Sequence, residues 1–251
     1  VTNDGITPLF IACQNGHEEV VQLLVSAGAL VDQAADDDTT PLFAASQQGH
    51  HGVAQLLVSA GASVNQTRNT GSTPLRIACQ NNHLEVVKLL VSSGAMVDLA
   101  ANDGSTPLFM ACQEDHPEVA RLLVSAGASV DQAMNDDCTP LLIACQDRDI
   151  QLVQLLVSAN ARVDKADNDG CSPLFLACQN GRQNVAGLLV SAGARVDQAT
   201  NDGCTPLFIA CQEGHQEVAH LLLSTGASVD LANNDGCTPL LIAAHEGRSA
   251  I

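Results

Sequence analysis

The sequence predicts an all-α solenoid of helix–turn–helix units joined by short β-hairpin or turn fingers. Three observations predict it. Eight of the nine prolines, Pro8, Pro41, Pro74, Pro107, Pro140, Pro173, Pro206 and Pro239, succeed one another at a constant spacing of 33 residues. The text around them repeats too: Thr7-Pro8-Leu9-Phe10-Ile11-Ala12-Cys13-Gln14 returns as Thr205-Pro206-Leu207-Phe208-Ile209-Ala210-Cys211-Gln212. Aromatic residues make up 2% of the 251 residues against 46% hydrophobic overall, with five Phe and neither Tyr nor Trp, so the core is thin and aliphatic. A period of this length marks units that bury their apolar faces only against one another. We therefore read residues 1–251 as one array of seven full units and a partial eighth, opening at each of the eight prolines.

Each element of the unit has a local reason. Thr or Ser precedes every one of the eight prolines. A hydroxyl at the N-cap followed by Pro at N1 starts a helix without losing a hydrogen bond. The first helix is short and small-sided, as in Leu9 to Gln14, and breaks at Asn15-Gly16. The second runs from about Glu18 to Ser26, where Val20, Val21, Leu23 and Leu24 give an apolar face at helical spacing. It stops at Gly28, and correspondingly at Gly61, Gly94, Gly127, Gly193 and Gly226, with Asn160 in the fifth unit. Gly and Asn are the residues that accept the left-handed C′ conformation. Pro117 falls at the start of a second helix, where it is tolerated. Val31-Asp32 leads into an extended stretch and then a turn such as Asn201-Asp202-Gly203, whose Asn-Gly and Asp-Gly chemistry reverses the chain.

Composition narrows the function. There are 28 acids and 10 bases, a formal charge of −18. Binding to nucleic acid needs clustered Lys and Arg, so that partner is excluded and an anionic membrane surface is disfavoured. No run of 18 apolar residues is present, and membrane association would come only through a longer chain. The ten Cys fall into two series at the repeat period: Cys13, Cys79, Cys112, Cys145, Cys178 and Cys211, and then Cys138, Cys171, Cys204 and Cys237. No C-x-x-C spacing occurs, so the thiols read as small hydrophobes, and their number suits a reducing, intracellular compartment. No signal peptide is visible, and the opening Val1 suggests a fragment or a processed product.

The T-P-L-x-x-A opening, the Gly-His step between helices, and Leu-Leu followed by Gly-Ala resemble the ankyrin repeat over essentially the whole chain. The resemblance implies L-shaped units with projecting fingers. It also implies a concave surface of first helices and finger tips that binds other proteins without catalysis. The sequence departs from that pattern in one slot. The family's His after T-P-L is here Phe10, Phe43, Arg76, Phe109, Leu142, Phe175, Phe208 and Leu241. We expect these rings to stack along the array, and Arg76 to be strained or matched by a nearby acid. The first unit looks internal, and the last breaks off at Arg248-Ser249-Ala250-Ile251, so both ends are expected to be apolar and prone to fraying.

No reaction centre is expected. There is no G-x-S-x-G, H-E-x-x-H or P-loop, and only two Lys, Lys88 and Lys165. His17, His50, His83, His116 and His215 recur at one slot, but layers roughly 10 Å apart cannot share a metal. The Asn-Asp-Gly turns lack the first ligand of a calcium loop, as Lys165 shows before Asp167-Asn168-Asp169-Gly170. No catalytic residue, metal, cofactor or small-molecule substrate is therefore expected.

The binding face implied by the resemblance is acidic and rich in amides. Its finger tips carry Asp4, Asp37, Asp103, Asp136, Asp169, Asp202 and Asp235; Thr70 holds the eighth tip. The first helices end on Gln80, Gln113, Gln146, Gln179 and Gln212, with Glu114, Asp147 and Glu213 beside them. The turn segments before the caps hold eleven of the 28 acids and one base, Arg68. The expected function is a non-enzymatic scaffold that binds a basic or extended protein partner through this acidic groove. Two other readings compete with it: a spacer segment of a channel or cytoskeletal adaptor, and an engineered repeat protein without a natural partner.

Overall fold

A computed structural model describes residues 5–146 and 150–247. The first helices are α1 (Pro8–Gln14), α3 (Pro41–Gln48), α5 (Pro74–Gln80), α7 (Pro107–Gln113), α9 (Pro140–Ala144), α11 (Pro173–Gln179), α13 (Pro206–Glu213) and α15 (Pro239–His245). The second helices are α2 (Glu18–Ser26), α4 (His51–Ser59), α6 (Leu84–Ser92), α8 (Pro117–Ser125), α10 (Ile150–Ser158), α12 (Gln183–Ser191) and α14 (Gln216–Ser224). The chain forms two compact units, Val1–Ser129 and Val130–Ile251. Within each, a first helix packs on its own second helix and on the first helix of the next repeat, which is an ankyrin-type stack.

The caps behave as their residue types require. Every first helix begins on a Thr or Ser whose hydroxyl oxygen accepts the N3 amide, as in Phe10 N to Thr7 Oγ1 at 3.0 Å and Phe208 N to Thr205 Oγ1 at 3.1 Å. The second helices end in the Schellman pattern. Gly28 N donates to Val25 O and Ala29 N to Leu24 O, both at 3.0 Å, with Gly28 at φ +85°. Asn160 does the same at φ +64°, its amide reaching Val157 O.

The fingers are turns, and among the described residues there is no strand. From the second finger onward each is closed by one short pair of bonds. Thr200 N donates to Cys204 O at 3.0 Å and Gly203 N to Thr200 O at 2.9 Å, with Gly203 at φ +79°. That is the three-residue loop with a left-handed third position, which leaves no length for a ladder. Adjacent fingers are joined by single backbone bonds: Asn69 N to Asp37 O and Asn102 N to Thr70 O in the first unit, Asn201 N to Asp169 O and Asn234 N to Asp202 O in the second.

The core is aliphatic. The Leu of each T-P-L is buried from Leu9 to Leu207, together with the Ala and Cys of the first helix and Val, Ala and Leu of the second. Ser46 takes the buried Cys slot of the second repeat by donating its hydroxyl to Leu42 O at 2.7 Å. All five rings are buried, between 1% and 7% exposed, but among the described residues no two of them pair. The stacked-ring expectation is therefore corrected: the buried rings do not pair with one another, and the Phe43 ring lies under the Arg68 guanidinium instead. The outermost repeats expose apolar residues as expected. Val20 is 45% exposed where Val53, Val86 and Val119 are 0–1%, and Leu240 is 64% exposed where Leu207 is 1%. The closing Arg248–Ile251 stretch lies outside the described residues.

Two side-chain ladders tie successive repeats together. In one, the His that precedes a second helix reaches back to the preceding repeat. Nε2 of His50, His83, His116 and His215 lies 3.0–3.1 Å from the carbonyls of Gln14, Gln47, Gln80 and Gln179. Arg182, in the same slot, reaches Gln146 O through Nη2 at 3.2 Å. In the other, the Asp after Val accepts a backbone amide of the next repeat. Asp32 takes Ser63 N, Asp98 takes Ser129 N, Asp131 takes Arg162 N, Asp164 takes Arg195 N and Asp197 takes Ser228 N; Asn65 serves Met96 N.

Gly181 shows how tightly the His ladder fits. It sits at φ +66°, and a Cβ there would stand 2.6 Å from the His215 ring. Asn82 fills the same slot at φ +59° while His116 keeps its bond, so a side chain of the right type is accommodated. Gly181→Val, a β-branched residue forced left-handed, is expected to cost roughly 1–3 kcal/mol. Gly181→Asn is expected to cost clearly less, and urea unfolding of the two variants checks the order.

Candidate functional site

Most tip carboxylates stand in solvent, on turns that hold their own backbone in place. Asp103, Asp136, Asp169, Asp202 and Asp235 are exposed, and Asp37 is half-exposed. Asp136 Oδ1 accepts Cys138 N at 3.0 Å, and Asp167 Oδ1 accepts both Asp169 N and Cys171 N. Gln113, Gln179, Gln212, Glu114 and Glu213 are exposed at the ends of their helices and Gln80 is half-buried, while Gln146 is exposed in the turn beyond α9, which stops at Ala144 instead of ending on Gln146 as expected. Asp4 and Asp147 lie outside the described residues. In the first unit one cleft brings the two sets of positions together, lined by Phe10, Gln14, Asp36, Asp37, Gln47 and Arg68 among others.

The bases near this face are paired. Arg68 Nη2 donates to Asp37 Oδ2 at 2.9 Å, and its guanidinium carbon lies 5.5 Å over the Phe43 ring. Arg76, with a side chain 12% exposed, donates to Ser105 Oγ through Nη2 at 2.7 Å and Nε at 3.0 Å, to Ser72 Oγ, and lies 3.8 Å from Asp103. Of the two outcomes open for Arg76, the neighbouring acid is the one found. Lys165 Nζ stands 3.9 Å from Asp137 in the second unit. Sequence reasoning missed that pair because the two residues belong to successive fingers.

These contacts set the protonation of two carboxyls. At Asp37, the Thr39 hydrogen bonds and the Arg68 charge hold the carboxyl below its ordinary range. At Asp103, desolvation pushes upward, but the Ser105 hydroxyl and amide and the Arg76 charge outweigh it, so this carboxyl is also lowered. A depressed folded-state pKa contributes stability above the unfolded value, and that stability is lost as pH falls through the folded value. The thermal midpoint of the first unit is thus expected to drop as pH falls below about 4. The drop should be smaller in Asp37→Asn, measured by differential scanning calorimetry at neutral and acid pH.

Two of the half-buried thiols, Cys138 and Cys171, are held in the protonated form. Burial first, and then Asp136 and Asp167, push Cys138 up to about 11; burial, Asp167 and Asp169 do the same for Cys171. Thiols so raised stay protonated at neutral pH and are poor nucleophiles. Among the described residues no three His, Cys, Asp or Glu side chains gather as a metal site. No helix among them is long and apolar enough to cross a membrane.

Such an arrangement of repeated capped helices, turn fingers and an exposed polar face defines a protein–protein interaction module. The family model for ankyrin repeats (3 copies) matches residues 1–68, 60–134, 131–200 and 193–251, and the chain belongs to the ankyrin repeat family. No curated relative matches the chain.

Proposed function

We propose that the chain is a binding scaffold that takes a basic, extended protein partner along its finger tips and first-helix ends, in a reducing intracellular compartment. One observation carries this reading. In the second unit the exposed carboxylates of Asp169, Asp202 and Asp235 stand on fingers bonded in sequence, Asn201 N to Asp169 O and Asn234 N to Asp202 O. Asn201 Nδ2 and Asn234 Nδ2 add side-chain bonds to the preceding fingers at 2.8 and 3.0 Å. Negative charge is thereby held in a fixed series before a partner arrives. Pre-ordered groups lose little freedom on binding, so weak contacts add along an extended chain. The face offers no Tyr or Trp anchor of the kind that dominates compact epitopes. The ten free thiols support the reducing compartment.

The test replaces Asp169, Asp202 and Asp235 together by Asn, which keeps shape and removes charge. Proteins retained from a lysate by the wild-type chain at low salt should be released at high salt, and the triple variant should lose them at low salt. Equal retention and equal salt dependence for both chains would refute the acidic groove.

A further inference from the structure

The cleft of the first unit differs from the rest of this face. It is a cavity of about 370 Å³ between the second finger and the first helices of the first two repeats, lined by Ile6, Phe10, Gln14 and Gln47. That volume lies at the lower end of small-ligand sites, roughly 300–1,000 Å³, and has room for a side chain of a bound partner. Arg68, the sole base of the turn segments before the caps, borders it, its Nη2 donating to Asp37 Oδ2 while its Nε–H is buried and meets no acceptor among the described residues. The Phe43 ring behind the guanidinium and the Asp37 bond fix where its remaining N–H groups stand. Asp36 is exposed and lines the same cavity.

From this geometry we infer that the cavity is a carboxamide subsite, taking a glutamine side chain of the bound partner. The inference rests on the protein-binding reading of this face. The bordering ion pair sets guanidinium donors beside carboxylate acceptors. A carboxamide offers one acceptor and two donors in a plane, and so answers both. A carboxylate would find Arg68 but face Asp36 and Asp37. An ammonium would find the acids but face Arg68, and it would lack an acceptor for the guanidinium. The two methylenes of glutamine would lie against Phe10 and Ile6.

The test needs no natural partner. The ¹⁵N-labelled full chain is titrated with the acetylated amide derivatives of glutamine, glutamate, lysine and leucine. The glutamine derivative should shift the Arg68 Nε–H and the Gln14 and Gln47 side-chain amides with saturation. It should bind at least about tenfold more tightly than the glutamate and lysine derivatives, the margin of one hydrogen bond to a charged group. Arg68→Met keeps an apolar stem over Phe43 and should abolish saturation. Asp36→Asn, at an exposed position, should improve the glutamate derivative and leave glutamine nearly unchanged. The subsite is overturned by equal responses to all four derivatives, by preference for glutamate or lysine, by no saturation, or by binding that survives Arg68→Met. Because the Asp169, Asp202 and Asp235 variant leaves this cavity untouched, failure here and failure of the acidic face are separate results.

Discussion

Phe208→Ala is expected to remove roughly 3–5 kcal/mol from the stability of the second unit, the range for deleting a buried ring. Phe208 is 4% exposed and sits at the N3 position of α13, which contacts the helices on both sides, α11 and α15. The helix that would carry the void belongs to two repeat interfaces. In a stack where each repeat contacts only its neighbours, the loss falls on the coupling between them. Phe208→Leu should cost less than about 1.5 kcal/mol, because an apolar residue of similar reach keeps most of the contact. The same slot already holds Leu142, fully buried, in the fifth repeat. Urea unfolding of the full chain and both variants, followed by circular dichroism, gives the two losses. A Leu variant as unstable as the Ala variant would mean that ring geometry, rather than apolar volume, holds the slot, and would restore the stacked-ring idea.

Much of this fold was legible because its signals are local. The Thr-Pro dyad, the Gly-Ala step and the helical spacing of Val20, Val21, Leu23 and Leu24 act within one repeat, and α2 spans Glu18–Ser26 as read from them. What stayed hidden spans repeats. The role of Asp32 is set by an amide 31 residues away, and nothing in its own surroundings announces it. The slot was visible as a periodic Asp, yet a periodic acid reads equally well as solvated charge. Arg182 was unreadable for the same reason: it does the work of His by reaching a carbonyl 36 residues back. The face itself was legible as a composition, acids and amides at recurring positions, but not as a set of contacts. That Arg68 would be pinned between Asp37 and Phe43, turning one stretch of an acidic surface into a mixed cavity, depends on three repeats meeting.

Arg76→Phe is expected to stabilise the first unit, although it destroys several hydrogen bonds and an ion pair. Desolvation lowers the pKa of the Arg76 guanidinium, and Asp103 pulls it back only in part, so burial disfavours the charge at this site. Replacing such a charge by a packed hydrophobe is neutral or favourable by about 1–4 kcal/mol. The slot accepts Phe at 1% exposure in the preceding repeat and at 3% in the following one. Two of the partners left behind are not stranded, while the buried Ser72 hydroxyl loses its bond from Arg76. Ser105 Oγ still donates to Asp103 Oδ1, and the Asp103 side chain is about half exposed and can be hydrated. Arg76→Ala is the control in the opposite direction. It removes the same bonds without refilling the space, and should destabilise by roughly 2–3 kcal/mol through the cavity. If the Phe variant unfolds at lower urea than wild type, the Ser72, Ser105 and Asp103 contacts are worth more than the desolvation they offset. Arg76 would then be a stabilising member of the row instead of an interruption in it.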